Sequence, residues 1–326
     1  MTVEVLPSVL PRPLAELAPR LPAWFIATPQ AATGFIDFFT AGIRNGNTRR
    51  AYFKAAGRFA AWCETRGVEL ADLQTSHVSA YIEELQADHA APTVKQHLAA
   101  LRMLFDWLVV HQVMPANPAQ PVRGPKHSMK KGKTPVLSAD EARQLLDAIE
   151  TDTLIGLRDR ALIGLMVYTF ARVGAALKMR VEDYFVQGRR GWVRLHEKGG
   201  KLHSLPCHHN LDSYLEAYVQ AAGIAGDAKG WLFCTAADRS GRTLTENPLW
   251  QQDAHAMIRR RAAAAGIKTK IGNHTFRATG ITAYLKNGGN LETAQQMANH
   301  ESARTTGLYD RRSDDVSLDE VERIGI

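Results

Sequence analysis

Six residues of this chain have types and an order suited to chemistry on a phosphate: Arg172, Lys198, the pair His274 and Arg277, then His300 and Tyr309. The last four stand in the strings HTFRATG and ANHESARTTGLYDR, with His300 twenty-three positions past Arg277 and Tyr309 nine further on. An arginine offers a rigid fork of donors that matches two phosphate oxygens, so two of them can bracket a pentacoordinate, doubly anionic phosphorus. Removing one such preorganised donor costs about 3–4 kcal/mol of transition-state stabilisation. Tyr309 sits in a polar stretch, TTGLYDR, with no periodic apolar neighbours to account for it. Its phenol, with an ordinary pKa of about 10, is a nucleophile only where positive charge surrounds the oxygen and a neighbour takes the proton. The two arginines and a histidine supply both. Lys198 is suited to protonating a departing 5′ oxygen. Bond energy is then held in the tyrosyl phosphate, so no ATP, metal or other cofactor is expected, and the chain has no GxxxxGK[ST] loop. Cys207, His208 and His209, with His203 nearby, resemble metal ligands on the surface. Adjacent histidines on a strand or loop are expected to point apart, and no second ligand pair follows at finger spacing, so a metal site is not expected.

These side chains need elements to hold them. His274 and Arg277 open a segment that reads as a helix to Leu285 and stops at Gly288 and Gly289, placing both on one face. Residues 161–170, ALIGLMVYTF, are apolar almost all round and predict a buried helix just before Arg172. Trp192–Leu195 and Leu202–Leu205 alternate around KGGK, which predicts a β-hairpin with Lys198 at its turn. Ser138 and Glu141 form a capping box ahead of the stripe Ala142, Leu145, Leu146 and Ile149. Everything else of length in this half reads as helix.

The first half contains different material. Pro7, Pro11, Pro13, Pro19 and Pro22 break up the start, so residues 1–30 are expected to be an extended arm, neither signal peptide nor membrane span. Helical periodicity follows behind Asn47 or Thr48, behind Ser76, and behind Pro92 and Thr93, and a small helical bundle is expected over 31–121. Residues 122–135 hold Arg123, Lys126, Lys130, Lys131 and Lys133 with no acidic residue, and read as a basic linker to a second domain at 136–326. The 326 residues are 45% hydrophobic, enough for two buried cores, and 40 Lys and Arg against 33 Asp and Glu leave a formal charge of +7. That charge suits a polyanionic partner. Three dispersed cysteines without a CxxC pattern point to a reducing cytoplasm.

The ordered set of Arg172, Lys198, HxxR, His300 and Tyr309 resembles that of the tyrosine recombinases, the phage-integrase family, and the chain is most similar to its short integrases and Xer-like members. The context YTFARVGAALKMRVEDY aligns Arg172 with the family's first arginine. The resemblance implies a mainly α fold with a small β-hairpin or sheet, in which a helical core-binding (SAM-like) domain and a catalytic domain close as a clamp on double-stranded DNA. It implies site-specific cutting and rejoining of DNA by a 3′-phosphotyrosyl intermediate, without cofactor or metal. A homotetramer on two sites, with accessory DNA-bending proteins in some systems, follows from the same resemblance. Arg49, Arg50, Lys54, Lys95, Arg102, Lys130 and Lys131 are the candidate DNA contacts. Two departures stand out. Ala175 occupies a position that often carries Glu or Asp, and Ala298-Asn299-His300 replaces the usual Leu-Gly-His. The acidic stretch after Tyr309 is expected to end in a short helix carrying Val316, Leu318, Val321 and Ile324. A DNA-binding or architectural role with little catalysis, and a type IB topoisomerase, remain open at this level.

Overall fold

The computed structural model describes residues 22–127, 132, 134–197, 200–238, 240–272, 274–310 and 322, in two compact units, Met1–Ser128 and Met129–Ile326. Lys130, Lys131 and Lys198, and the expected C-terminal helix, lie outside the described residues.

The first unit is helical: α1 (Pro29–Asp37), α2 (Gly46–Glu64), α3 (Thr75–Asp88) and α4 (Ala91–Val110). Two of these helices start earlier than the sequence suggested. The Asn45 side chain accepts from the N–H groups of Asn47 and Thr48 at 3.0 and 3.2 Å, satisfying orphan donors of the first turn of α2. His77 Nδ1 accepts from the N–H of Gln74, so α3 opens ahead of Ser76. The core is aromatic. Phe59 packs at ring-centroid distances of 5.7 Å from Trp24, 4.9 Å from Tyr81 and 6.0 Å from Phe105. Trp24 and Phe25 are both buried, so packed structure begins inside the stretch 1–30 expected as an arm. The hydrophobic gain from two large aromatics outweighs the extended bias of the preceding prolines. Val122, at the start of the expected linker, packs in the same core.

The second unit begins as expected. Ser138 Oγ accepts from Glu141 N–H and Glu141 returns the bond to Ser138 N–H, at 3.1 and 2.9 Å, capping α5 (Ala139–Asp147). At its centre is α6 (Leu154–Tyr168), whose Leu162, Ile163, Leu165 and Met166 are fully buried. The short α7 (Val173–Ala176) leads to a three-stranded antiparallel sheet of β1 (Tyr184–Gln187), β2 (Arg190–His196) and β3 (Leu202–Pro206). Strands β2 and β3 pair from Trp192↔Pro206 to His196↔Leu202, which is the expected hairpin. Val193 and Leu195 face inward on β2, as period-two alternation requires. Strand β1 was not expected, nor was the pair β4 (Cys234–Ala236) and β5 (Leu244–Pro248). Strands this short show too little alternation to stand out from loop sequence. Helices α8 (His209–Ala222), α9 (Gln251–Ala264) and α10 (Thr275–Lys286) complete the core, followed by α11 (Leu291–Met297) and α12 (Ala303–Gly307). Asp159, with no exposed surface, accepts from Arg158 at 2.6 Å and Arg261 at 2.9 Å, the pairing a buried carboxylate requires. Among the described residues no helix is long and apolar enough to cross a membrane.

Candidate active site

Local folding explains how the chain brings distant residues together. Helix α6 ends at Tyr168, and Phe170 then takes a left-handed conformation, φ 55°, unfavourable for a bulky residue. That turn aims the Phe170 carbonyl at the guanidinium of Arg277, which donates to it through Nη1. The approach of α10 to this turn depends on Gly280, one helical turn beyond Arg277. A Cβ there would sit 2.1 Å from the Val167 carbonyl oxygen and against the Phe170 ring. Arg277 Nη2 also donates to Ala298 O at 2.5 Å, so one residue, 2% exposed, joins the turn before Arg172 to the loop before His300. Desolvation, and then the neighbouring charge of Arg172, push its pKa down to about 10, while Tyr309 and Glu197 oppose that fall. It remains positive at neutral pH.

Asn299 takes φ 46°, the left-handed region in which Gly is the default and Asn is tolerated. The Ala-Asn-His departure is thus accommodated without loss of the turn. His300 follows, nearly buried, with Nδ1 2.9 Å from Thr306 Oγ1 and its ring parallel to that of Tyr309, centroids 5.8 Å apart. Burial first, then the charges of Arg277 and Arg172, lower its pKa to about 4, so the imidazole is neutral at physiological pH. His274 is exposed as a residue, yet desolvation of its ring, followed by Arg277 and Arg172, lowers its pKa too. The Tyr309 carbonyl accepts from Thr282 Oγ1 at 2.9 Å, fastening the tyrosine segment to α10.

Arg172 stands at the N-terminal edge of α7 with 37% of its side chain exposed. Its guanidinium donates at 2.6 Å to Glu197, the residue after β2, whose side chain is only 3% exposed. Arg172, Glu197, Lys201, Asn299 and His300 line a cavity of about 470 Å³. The β2–β3 hairpin is tied to this region by His203, whose Nε2 lies 3.1 Å from Met297 O on α11. Of the six residues expected to do chemistry, Arg172, His274, Arg277, His300 and Tyr309 converge around two guanidiniums, and Lys198 lies beyond the described residues.

Sequence reasoning missed Glu197, Thr306 and the strained Phe170. A signal existed for the first: Glu197 directly precedes Lys198 in HEKGGK. Ala175 is buried on α7 and contributes no carboxylate. In the first unit, two expected DNA contacts have internal work. Arg49 donates to Ile43 O at 2.7 and 3.0 Å, and Arg102 to the carbonyls of Ala119 and Val122, whereas Arg50, Lys54 and Lys95 are exposed. His208 and His209 do not point apart. Their rings lie 4.1 Å from one another because His208 caps α8 through Asn210 N–H and stacks on Tyr168. Among the described residues no cluster of three or more His, Cys, Asp or Glu is placed to hold a metal.

Comparison with known proteins is informative once this geometry is in hand. The phage integrase family matches residues 135–315, and the phage integrase N-terminal SAM-like domain matches residues 37–113. Tyrosine recombinase XerD of Chlorobaculum tepidum is 28% identical over 270 residues, spanning 81% of this chain and 86% of that protein. Two solved structures share the fold. The XerH site-specific recombinase bound to palindromic difH substrate, a post-cleavage complex, has a TM-score of 0.67 at 19% identity, covering 85% of this chain and 79% of that one. A λ integrase tetramer bound to a Holliday junction has a TM-score of 0.63 at 19% identity, covering 88% and 80%.

Proposed function

This chain belongs to the phage integrase family, and from that premise we propose that it cuts and rejoins DNA strands at defined sites with Tyr309 as the nucleophile. The protein is a tyrosine site-specific recombinase. The observation that carries the residue assignment is the placement of the Tyr309 phenol beside the neutral ring of His300 and within the field of buried Arg277.

In this reading Arg172 and Arg277 hold the non-bridging oxygens of the scissile phosphate. Arg277 stays positive at neutral pH, and neither guanidinium has to reorganise as charge builds on phosphorus. Tyr309 Oη attacks phosphorus and gives up its proton; His274, kept neutral, is the group suited to take it. The bond from phosphorus to the 5′ oxygen breaks, and Lys198 delivers a proton to that oxygen. A 3′-phosphotyrosyl bond and a free 5′ hydroxyl result. Attack by the 5′ hydroxyl of a partner strand reverses the steps and releases Tyr309. Because His300 Nδ1 is engaged by Thr306, contact with phosphate falls to Nε2.

Double-stranded DNA is the partner in this reading. We extend to this chain the assembly named for the λ integrase complex, a tetramer joining two sites. Arg50, Lys54 and Lys95 serve as backbone contacts, and action on DNA in the cytoplasm follows. The test is covalent capture. The tagged chain and its Tyr309→Phe variant are expressed in cells and purified under denaturing conditions without cross-linker, and attached DNA is sequenced. Recovery of one or a few sequences with the unmodified chain alone is expected. Equal recovery with both would overturn the assignment of Tyr309.

A further inference from the structure

The Glu197 carboxylate is nearly buried, on a strand end where an apolar residue would pack at lower cost, because removing a carboxylate from water is unfavourable unless it is paired. Its pairing is specific. Glu197 Oε2 accepts from Arg172 Nη1 at 2.6 Å, engaging one end of the guanidinium fork and leaving other donors of that fork for phosphate. The backbone of Glu197 is fixed as well, its N–H donating to Lys201 O at 2.8 Å across the base of the β2–β3 turn. The residue thereby joins two parts of the reaction. It touches the arginine proposed to hold phosphate, and it is the chain neighbour of the lysine proposed to protonate the leaving oxygen. It also lines the cavity shared by Arg172 and His300.

We propose that Glu197 is a positioning residue for strand cleavage, whose buried carboxylate fixes the Arg172 guanidinium and whose backbone N–H, one residue before Lys198 in the chain, is held by Lys201 O. The proposal rests on the recombinase reading above. Helix α7 packs against β2, so a carboxylate just past the end of the strand reaches Arg172 although Ala175, on α7 itself, offers only a methyl. Two guanidiniums converge here, and Glu197 sets its carboxyl group against the guanidinium of Arg172 before any phosphate arrives. On binding, the phosphate takes the remaining donors of an arginine already oriented. Misplacement of such a group by about 1 Å costs about a hundredfold in rate.

The experiment uses purified full-length protein and a nicked duplex carrying the sequence recovered by covalent capture with the unmodified chain. The single-turnover rate of covalent linkage is measured for the unmodified chain, Glu197→Asp and Glu197→Gln. Non-covalent retention on the same duplex and melting temperature are followed in parallel. The expected order is unmodified chain, then Asp, then Gln, with Gln slower by about 10- to 100-fold and with retention nearly unchanged. Equal rates for all three would overturn the proposal, as would a loss of linkage that only follows a matching loss of DNA retention. If the Gln chain fails to fold, the Asp chain decides alone, since its shorter reach must slow linkage. Failure of the unmodified chain to link DNA would instead remove the recombinase reading and this proposal with it.

Discussion

Replacing Arg277 with Lys separates the structural job of this residue from the catalytic one proposed for it. Its guanidinium, 2% exposed, donates to the Phe170 and Ala298 carbonyls on two different elements. A lysine carries one ammonium on a flexible stem and cannot span both carbonyls while also facing a phosphate. Hydrogen bonds from charged groups are worth about 1.5–3 kcal/mol each. Losing one and straining the other should cost about 2–4 kcal/mol of stability. For a domain of this size each kcal/mol moves the melting temperature by about 2–4 °C, so a fall of about 5–15 °C is expected. Loss of a preorganised donor adds about 3–4 kcal/mol to the barrier, slowing covalent linkage to DNA by two to three orders of magnitude. Arg172→Lys is the control. Its side chain is 37% exposed and meets Glu197 through a single nitrogen, a contact one ammonium can also make, so it should lose linkage rate with little change in melting. Thermal unfolding and single-turnover linkage on captured sequence read the two effects. The reasoning fails if Arg277→Lys melts within about a degree of the unmodified chain, or if the two lysine variants lose stability equally.

Other expectations follow from particular residues. His97 and His300 have pKa values lowered to about 4, chiefly by burial and secondarily by nearby arginines, so between pH 6.5 and 4 the unfolded chain binds more protons than the folded one. Stability must therefore rise with pH across that window, and acidification to pH 5 should cost on the order of 2 kcal/mol for each histidine if its unfolded value is about 6.5. Denaturant titrations at pH 7 and pH 5 check this, and a His97→Gln chain that keeps the full slope would count against it. Asn299→Val forces a β-branched residue into the left-handed region and should cost about 1–2 kcal/mol, with slower covalent linkage as His300 shifts; Asn299→Gly should cost neither. Gly280→Ala should destabilise by about 1–3 kcal/mol or more through overpacking, because its methyl meets the Val167 carbonyl. An unchanged melting curve for that variant would mean α10 and the Phe170 turn can separate without penalty.

The elements with strong local signatures were legible in the sequence. The capping box at Ser138 and Glu141, the apolar run after Ala161, the alternation either side of KGGK and the aromatic periodicity of the first unit all reappear in the structure, because local periodicity and capping chemistry act over a few residues. The order of Arg172, His274, Arg277, His300 and Tyr309 could be read from the sequence as well, and their proposed roles rest on residue types suited to chemistry at phosphorus. Tertiary structure decided what supports them. Phe170 accepts a left-handed backbone because Arg277 binds its carbonyl and Gly280 makes room for its ring, a bargain struck between residues 107 positions apart. Glu197 is an acid in a hairpin until the fold buries it on Arg172, and Arg49 and Arg102 look like surface cations until backbone carbonyls of their own domain claim them. Whether a charged side chain meets solvent, substrate or a partner depends on the elements packed around it, and that packing is set by contacts between residues far apart in the chain.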